Sequence, residues 1–513
     1  LPPEAEVREA LTPREERFEA ARKTAGLVLG PLAAAVLALL PMPSLGRPAH
    51  ALAAILGWVV VWWITEPVPL PMTAVLGVTL SVVFGVAPAK AAFAPFADPM
   101  IFLFLGSFIL AEAMAHHRLD KRFAYGIMSL RWVGDRSGRI LFAYGAICAF
   151  LSMWISNTAT CAMMFPIGLG IVRTMSDITA RRTGRPVDAG KLRFGTAMML
   201  MAAYASSAGG IGTPVGTPPN LIGISLIEKF TKVKIPFFQW MLFAVPLLIV
   251  MYFLLYFLLY ALHKPEEREI RGGREFVRAE LAKLGAWTRG QKFALLAFSV
   301  AVALWIAPGF IALIFGSRSA AAQTYNARLP EAAAALLAAL LLFVLPVDWK
   351  KKEFAISWKQ AIRIDWGVLL LYGGGMALGD LMIQTKLADA VGHGLLGLSG
   401  ATSMWGITLA AVFIAVLVSE ATSNTASANM VVPVIISLAL AAGVNPLPPA
   451  IGATLGASWG FMLPVSTAPN AMVYGSGMVP ITKMIRAGVI FDLLGGLTIW
   501  IGLRLLLPLI GLA

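Results

Sequence analysis

The sequence predicts an all-α polytopic membrane protein of two inverted halves, each with a helical hairpin that enters the membrane and turns back. Three observations predict it. Of 513 residues, 58% are hydrophobic and 13% charged, whereas a soluble chain carries about 25% charge. The apolar residues gather in runs near the roughly 20 residues that cross a bilayer as a helix. Three polar blocks also recur in the same order along the chain. The composition excludes an ordinary soluble enzyme, a disordered chain and a disulfide scaffold. The runs lack the polar/apolar alternation of a membrane barrel, so the spans are helical.

The formal net charge of +14 suggests nucleic acid until its placement is read. Lys and Arg sit in loops between apolar runs, the pattern that orients a membrane protein. No Cys/His spacing fits zinc, and no Gly-rich loop ends in Gly-Lys-Ser/Thr. Cys148 and Cys161 lie in apolar stretches and read as small buried side chains.

Residues 1–24 are rich in Glu and Arg and lack the apolar core of a signal peptide. They read as a cytoplasmic helix before the first span. Apolar runs follow near 25–42, 50–65, 70–86, 99–115, 140–172, 194–225, 236–262, 293–315, 331–347, 366–383, 404–442, 447–478 and 487–512. The runs 140–172 and 404–442 exceed one span and are interrupted midway by Ser, Asn and Thr. Irregular backbone at membrane depth is tolerated only where protein or a cavity surrounds it. If both are re-entrant hairpins and the N-terminus is inside, the segments 1–24, 116–139, 173–193, 263–292, 348–363 and 479–486 are also inside. They hold roughly four-fifths of the 41 Lys and Arg. Lys229, Lys232 and Lys234 are the chief exceptions. Residues 118–133, and more weakly 380–396, mix charge with apolar side chains as interfacial helices do. Each precedes a hairpin, either as an arm between a fixed and a moving part or as a plain connector.

The repeat is the most informative feature. Ser152-x-x-x-Ser156-Asn157-Thr158-Ala159 returns as Ser419-x-x-x-Ser423-Asn424-Thr425-Ala426. Upstream, Gly106, Glu112 and Leu119 match Gly374, Asp380 and Leu387. Downstream, Thr213-Pro214-Val215-Gly216-Thr217-Pro218-Pro219-Asn220 matches Leu463-Pro464-Val465-Ser466-Thr467-Ala468-Pro469-Asn470. The assumed topology opens one hairpin inward and the other outward. Inverted repeats with broken helices near the midplane mark a secondary transporter. Ser, Asn and Thr offer neutral oxygens to a hard cation and N–H or O–H groups to an anion. Proline must break the helices near 212–219 and 464–469, freeing carbonyls for a cation and half-helix N-termini for an anion. Neither tip nor break contains Lys, Arg or His. An anion held there lacks a fixed cationic partner, which bound Na⁺ would supply.

At these residues the chain resembles the divalent anion/sodium symporter family, in its sodium–dicarboxylate branch. The resemblance implies eleven spans, two re-entrant hairpins, a homodimer-forming scaffold and a transport domain that slides as an elevator. It implies scaffold spans at 25–115 and 293–383, interfacial arms at 116–139 and 384–403, and a cytoplasmic loop at 263–292. The transport halves are then 140–262 and 404–513. It implies a first Na⁺ site of Ser152, Ser156, Asn157 and the Gly216 backbone, and a second of Ser419, the Thr422 backbone, Asn424 and Ser466. Asn157, Thr158, Thr217, Asn424, Thr425 and Thr467 would hold substrate carboxylates. Ser466 and Ala468 stand where many relatives have Ala and Pro; Ser466 is expected to contribute a backbone carbonyl, and Ala468 to loosen the second break slightly. The expected activity is Na⁺-coupled symport of succinate, malate or fumarate, in a bacterial inner membrane. A Na⁺-independent exchanger and a Na⁺/sulfate symporter are the alternatives within the family. Ala159-Thr160-Cys161-Ala162 lacks the arginine associated with the exchangers, which favours symport.

Other readings remain for single features. One Ser-Asn-Thr motif alone would be interhelical hydrogen-bonding glue; two copies with matched breaks argue against that. Glu112, Asp380, Glu420 and Asp492 lie in or near apolar runs, where ionisable groups are functional candidates. Glu420 either tunes the second cation site or, as favoured here, caps a helix through backbone amides. His116 and His117 read as interfacial anchors and Trp58, Trp62 and Trp63 as a packing belt. A membrane hydrolase using Ser156 or Ser423 needs a base that the first copy does not offer. A channel would dissipate a substrate gradient, not build one.

Overall fold

A computed structural model describes residues 13–512 apart from 271, 317, 318 and 401. The first twelve residues of the expected N-terminal helix lie outside the described residues. Ten described helices are long and apolar enough to cross a membrane, or eleven if one bent pair counts as a span. In order they run α1 (Pro13–Leu39), α2 (Arg47–Thr65), α3 (Leu70–Val83), α4 (Ala89–Phe93), α5 (Pro99–His116) and α6 (Leu119–Met128). The first hairpin is α7 (Ser137–Ser152) and α8 (Asn157–Thr183). Next come α9 (Arg193–Gly209), a break, α10 (Pro218–Thr231) and α11 (Phe237–Leu262). After α12 (Gly273–Lys283) the second half begins with α13 (Arg289–Phe315), α14 (Ala320–Arg328), α15 (Glu331–Val344), α16 (Trp358–Ala361) and α17 (Trp366–Gln384). It continues with α18 (Leu387–Ser399) and the second hairpin, α19 (Met404–Ala421) and α20 (Asn424–Ala441). It ends with α21 (Leu447–Ala457), a break, α22 (Ala468–Gly475) and α23 (Ile481–Leu506).

From α5 onward the halves match, α5 to α11 in order with α17 to α23. Asp98 and Asp365 cap α5 and α17 by accepting from Met100 N at 3.0 Å and Val368 N at 3.2 Å. Each such cap satisfies an amide that the helix start leaves free. The halves are also interlocked. A Cβ on Gly106 of α5 would lie 2.7 Å from Ala335 of α15, and one on Gly374 of α17 would lie 2.6 Å from Ala74 of α3. In each half the glycine lets a long helix nest against a short helix of the other half. Phe104 and Tyr372, equivalent across the repeat, meet edge to face at 5.6 Å between them.

Several details differ from the sequence reading. Residues 13–24 of the charged N-terminal segment are no separate helix, because α1 carries them without interruption into the first span. The run 70–86 yields only the 14 residues of α3, since Glu66-Pro67-Val68-Pro69 ends α2 and proline restricts its neighbours. Ala320–Arg328 form α14, bent 57° from α15. A two-stranded hairpin, β1 (Pro346–Asp348) with β2 (Glu353–Phe354), is the only sheet among the described residues. His117 Nε2 meets the Ala355 carbonyl at 2.6 Å, and Gln360 Nε2 reaches the His116 ring at 2.9 Å. These contacts fit the anchoring reading. Trp62 donates to Gly26 O at 2.8 Å, pinning α2 to α1.

Residues 264–270 form a strap across the base of the first hairpin. Ser137 donates its hydroxyl to Glu267 O, Ile270 N donates to Asp135 O at 2.7 Å, and Glu266 accepts from Arg193 N and Phe194 N at 2.6 and 3.2 Å. Arg182 pairs with Glu267 at 2.7 Å. The strap thus fastens α7, α8 and α9 together.

Candidate functional site

The two hairpin tips are built alike. Ser152 ends α7 fully buried, and its hydroxyl donates to Asn157 Oδ1 at 2.7 Å. Ser156 caps α8 by accepting from Ala159 N at 3.2 Å. In the second half Ser419 donates to Asn424 Oδ1 at 2.8 Å, and Ser423 accepts from Ala426 N at 3.2 Å. The serine four residues before the cap orients the asparagine.

Each tip faces the break of its own half. A Cβ on Gly216 would meet Gly210 O at 2.5 Å, Met153 O at 2.9 Å and Ser152 O at 3.0 Å. Three carbonyl oxygens therefore crowd a position that only glycine leaves open. A Cβ on Gly210 would meet Asn157 Oδ1 at 2.5 Å and Thr217 Cβ at 3.1 Å, so Asn157, Gly210, Gly216 and Thr217 converge. In the second half a Cβ on Gly460 would lie 3.2 Å from Ser419 Oγ and 3.4 Å from Ser466 Cβ. Ser419 Oγ also lies 2.8 Å from Ala457 O, so its single proton is shared between that carbonyl and Asn424.

Two asparagines hold the breaks, a role not assigned from the sequence although both were visible in the repeat. Asn220 Nδ2 donates to Gly210 O at 2.9 Å and Thr213 O at 2.7 Å. Asn470 Nδ2 donates to Leu463 O at 3.1 Å and Gly460 O at 3.5 Å. A broken helix leaves carbonyls without amide partners, and one side-chain amide spans two of them. Thr467 caps α22 by accepting from Asn470 N at 3.2 Å, whereas Thr217 makes no side-chain cap bond. Thr158 is exposed beyond Asn157, and Thr425 is half-buried. Thr422 is buried, with its hydroxyl on Val418 O at 3.1 Å.

Glu420 departs most from the sequence reading. Its carboxylate accepts from Met462 N at 2.7 Å, Leu463 N at 3.1 Å and the Ser466 hydroxyl. It engages backbone amides as favoured, but those of the break, not of a hairpin helix. The Ser466 side chain is therefore engaged in holding the site, where only its carbonyl was expected to matter. In the first half the matching position is Met153, and Thr213 donates to its carbonyl instead.

The halves are laced together around the tips. α8 packs on α22, and α20 packs on α10 and α17. Lys229 of α10 pairs with Asp380 of α17 at 2.7 Å, which gives one of the exceptional basic residues a partner. Ser225 meets the Tyr372 hydroxyl at 2.5 Å, and Tyr372 donates to Asp98 at 3.3 Å. Among the described residues no cluster of three His, Cys, Asp or Glu could hold a metal. Apart from the Glu420 carboxylate, which is turned onto the second break, the oxygens at the tips are neutral amides, hydroxyls and carbonyls, a set suited to an alkali cation rather than a transition metal.

Comparison with known proteins agrees. The profile of a family described as "Sodium:sulfate symporter transmembrane region" matches residues 21–510. The sodium-dependent dicarboxylate transporter SdcS of Staphylococcus saprophyticus is 34% identical over 486 residues, covering 94% of this chain and 91% of the relative. Its namesake in Staphylococcus aureus is 31% identical with the same coverage. The crystal structure of the Alcanivorax borkumensis YdaH transporter superposes with a TM-score of 0.54 at 13% identity, over 90% of this chain and 98% of that one. That last likeness concerns the fold alone.

Proposed function

The chain belongs to the sodium:sulfate symporter family, a family of transporters and not of enzymes, and from that premise we propose that it couples Na⁺ to the movement of C4-dicarboxylates. It is an integral multi-pass membrane protein. One observation carries the reading: each half sets a matched group of amide, hydroxyl and carbonyl oxygens, led by the buried Ser152 and Ser419, between a hairpin tip and a helix break, in strings without Lys, Arg or His. A dianion placed between such tips has no fixed counter-charge, and an uncompensated buried charge costs several kcal/mol or more. Na⁺ bound beside it offsets that cost, so empty cation sites disfavour the substrate and coupling follows.

In this reading Ser152, Ser156, Asn157 and the Gly216 carbonyl hold the first Na⁺. Ser419, the Thr422 carbonyl, Asn424 and Ser466 hold the second. Asn157, Thr158, Thr217, Asn424, Thr425 and Thr467 take the carboxylates. The convergence of Asn157, Gly210, Gly216 and Thr217 supports the first set. The names of the staphylococcal relatives support a dicarboxylate. An elevator motion of the hairpins and breaks within a homodimer of scaffolds completes the proposal, with α6 and α18 as the arms, in a bacterial inner membrane with the N-terminus inside. The test is uptake into proteoliposomes with and without an imposed Na⁺ gradient, against succinate, citrate and sulfate. Concentrative succinate uptake only with the gradient is expected. Equal uptake in choline or potassium would overturn the coupling, and preference for sulfate would overturn the substrate class.

A further inference from the structure

Helix α6 borders a groove that the described residues leave unfilled. It is a cavity of about 540 Å³ between α6 and the end of α12. Phe123, Ile127, Leu281 and Trp287 give it apolar walls, and Arg122 is the one charged residue lining it. Two glycines keep it open. A Cβ on Gly126 of α6, or on Gly285 just past α12, would meet nothing within 4 Å. Along α6, Phe123, Gly126, Ile127 and Leu130 recur at i, i+3, i+4 and i+7, the spacing of one helix face.

Arg122 is built into this wall. It is 9% exposed. Its Nη2 lies 2.9, 2.8 and 3.3 Å from the carbonyls of Leu284, Gly285 and Ala286, at a helix end where carbonyls lack intrahelical partners. Its guanidinium stacks over Trp287, 5.1 Å from the ring centroid. These acceptors are carbonyls, so they leave the positive charge unneutralised. All three contacts belong to Nη2, which leaves Nη1 and the buried Nε without acceptors. A buried donor left unbonded is costly, and the groove is where an acceptor can enter.

The surroundings are basic as well. Residues 118–131 hold four Lys and Arg against Asp120, and residues 273–292 hold five against Glu275 and Glu280. The repeat supplies an internal contrast. On α18, Gly394 matches Gly126, and a Cβ there would also meet nothing within 4 Å, but Ala390 stands where α6 has Arg122. The second arm keeps the space and lacks the charge.

We propose that the α6–α12 groove binds an anionic phospholipid, a phosphate oxygen accepting from Arg122 and an acyl chain lying along Phe123, Ile127, Leu281 and Trp287. The phosphate supplies the charge and the acceptors that the guanidinium lacks. The chain covers the apolar walls, and a lipid joins the two. The proposal rests on α6 lying at the membrane surface and not on Na⁺ coupling, so either reading survives the failure of the other.

Thermal melting of the purified, delipidated chain in detergent tests it, with phosphatidylglycerol, phosphatidylethanolamine of the same acyl chains, and inorganic phosphate added separately. At saturation phosphatidylglycerol is expected to raise the melting temperature by about 3 °C more than phosphatidylethanolamine, and inorganic phosphate to leave it unchanged. Gly126→Leu fills the groove from a helical position where Cβ is unopposed. It is expected to melt without lipid no lower than the unmodified chain, and to lose the difference between the lipids. Gly394→Leu is expected to keep that difference. Arg122→Lys is expected to cut it to about half or less, because an ammonium cannot serve the α12 carbonyls and a phosphate together; should that variant fail to fold, the two glycine variants decide. Equal shifts from the two lipids, as an uncharged chain or a second copy of the protein in the groove would give, would overturn the proposal. So would a difference that survives Gly126→Leu or vanishes in Gly394→Leu. A shift by inorganic phosphate as large as the lipid's would overturn it in favour of a bare anion site.

Discussion

The first break is held by neutral groups and the second by a carboxylate. In one half Thr213 donates to Met153 O and Leu248 packs over Gly212; in the other Glu420 gathers two amides and a hydroxyl. The serine–asparagine contacts at the tips nevertheless agree to within 0.1 Å, at 2.7 and 2.8 Å. The oxygens proposed as ligands are kept the same, while the supports behind them differ. Supports are interchangeable because any donor that satisfies a broken helix end serves. Ligand oxygens are not, because a cation fixes their number and distance.

The comparison breaks most visibly at the two asparagines. Asn157→Ala and Asn424→Ala should each reduce Na⁺-dependent succinate uptake by roughly a hundredfold, since each removes an oriented amide from a buried polar cluster. Na⁺ dependence and substrate binding should weaken together. A variant that loses only substrate affinity would argue against shared sites.

Gly216 and Ser466 sharpen it next. They occupy the same place, but Gly216 has carbonyls within 3.0 Å of a would-be Cβ, while Ser466 already carries one. Gly216→Ala should raise the Na⁺ half-saturation about tenfold. Ser466→Ala should act less, through loosening of Glu420, and the reverse order would undo the equivalence of the two positions.

A third comparison lies at the seam between α10 and α17. Lys229–Asp380 is a partly buried ion pair, while the repeat places Glu112 where the first half matches Asp380. Removing one partner of a buried pair is costlier than removing both. Lys229→Met should destabilise the protein in detergent by roughly 2 kcal/mol, and Lys229→Met with Asp380→Leu should restore much of it. Equal melting of single and double variants would show that the pair does not couple.

The smallest effect is pH-dependent. His263 follows α11 outside the membrane-spanning helices. Burial first, then Lys483 and Arg486 at the start of α23, push its imidazole down to about 4. A neutral form favoured in the fold means its stabilising contribution is present above the ordinary value of about 6.5. That contribution is lost as pH falls towards about 4. Thermal melting should drop a few degrees between pH 7 and pH 5, and His263→Gln should flatten that slope.

Much of this was legible in the sequence because repetition made it so. The tip serines and asparagines and the two breaks were recognisable from spacing alone. The bend between α14 and α15 was only half legible, because Pro330 marks a break there while the 57° angle is set by packing. The partnership of Glu420 with residues more than forty positions away was not legible, since sequence shows a carboxylate but not which amides a distant break leaves free. Asn220 and Asn470 stood in the matched blocks, yet their role depends on carbonyls that exist only once the helix is broken.

The crossed nesting of Gly106 on Ala335 and Gly374 on Ala74 has a bearing on how the molecule is made. A ribosome completes α3 about 300 residues before it delivers the surface that α3 rests on. α2 already lies against α1 and α3, but α3 and α5 complete their packing only when the second half arrives. Two separately translated fragments, cut within 271–272 and produced in one cell, should find each other and assemble, whereas either one expressed singly should be degraded.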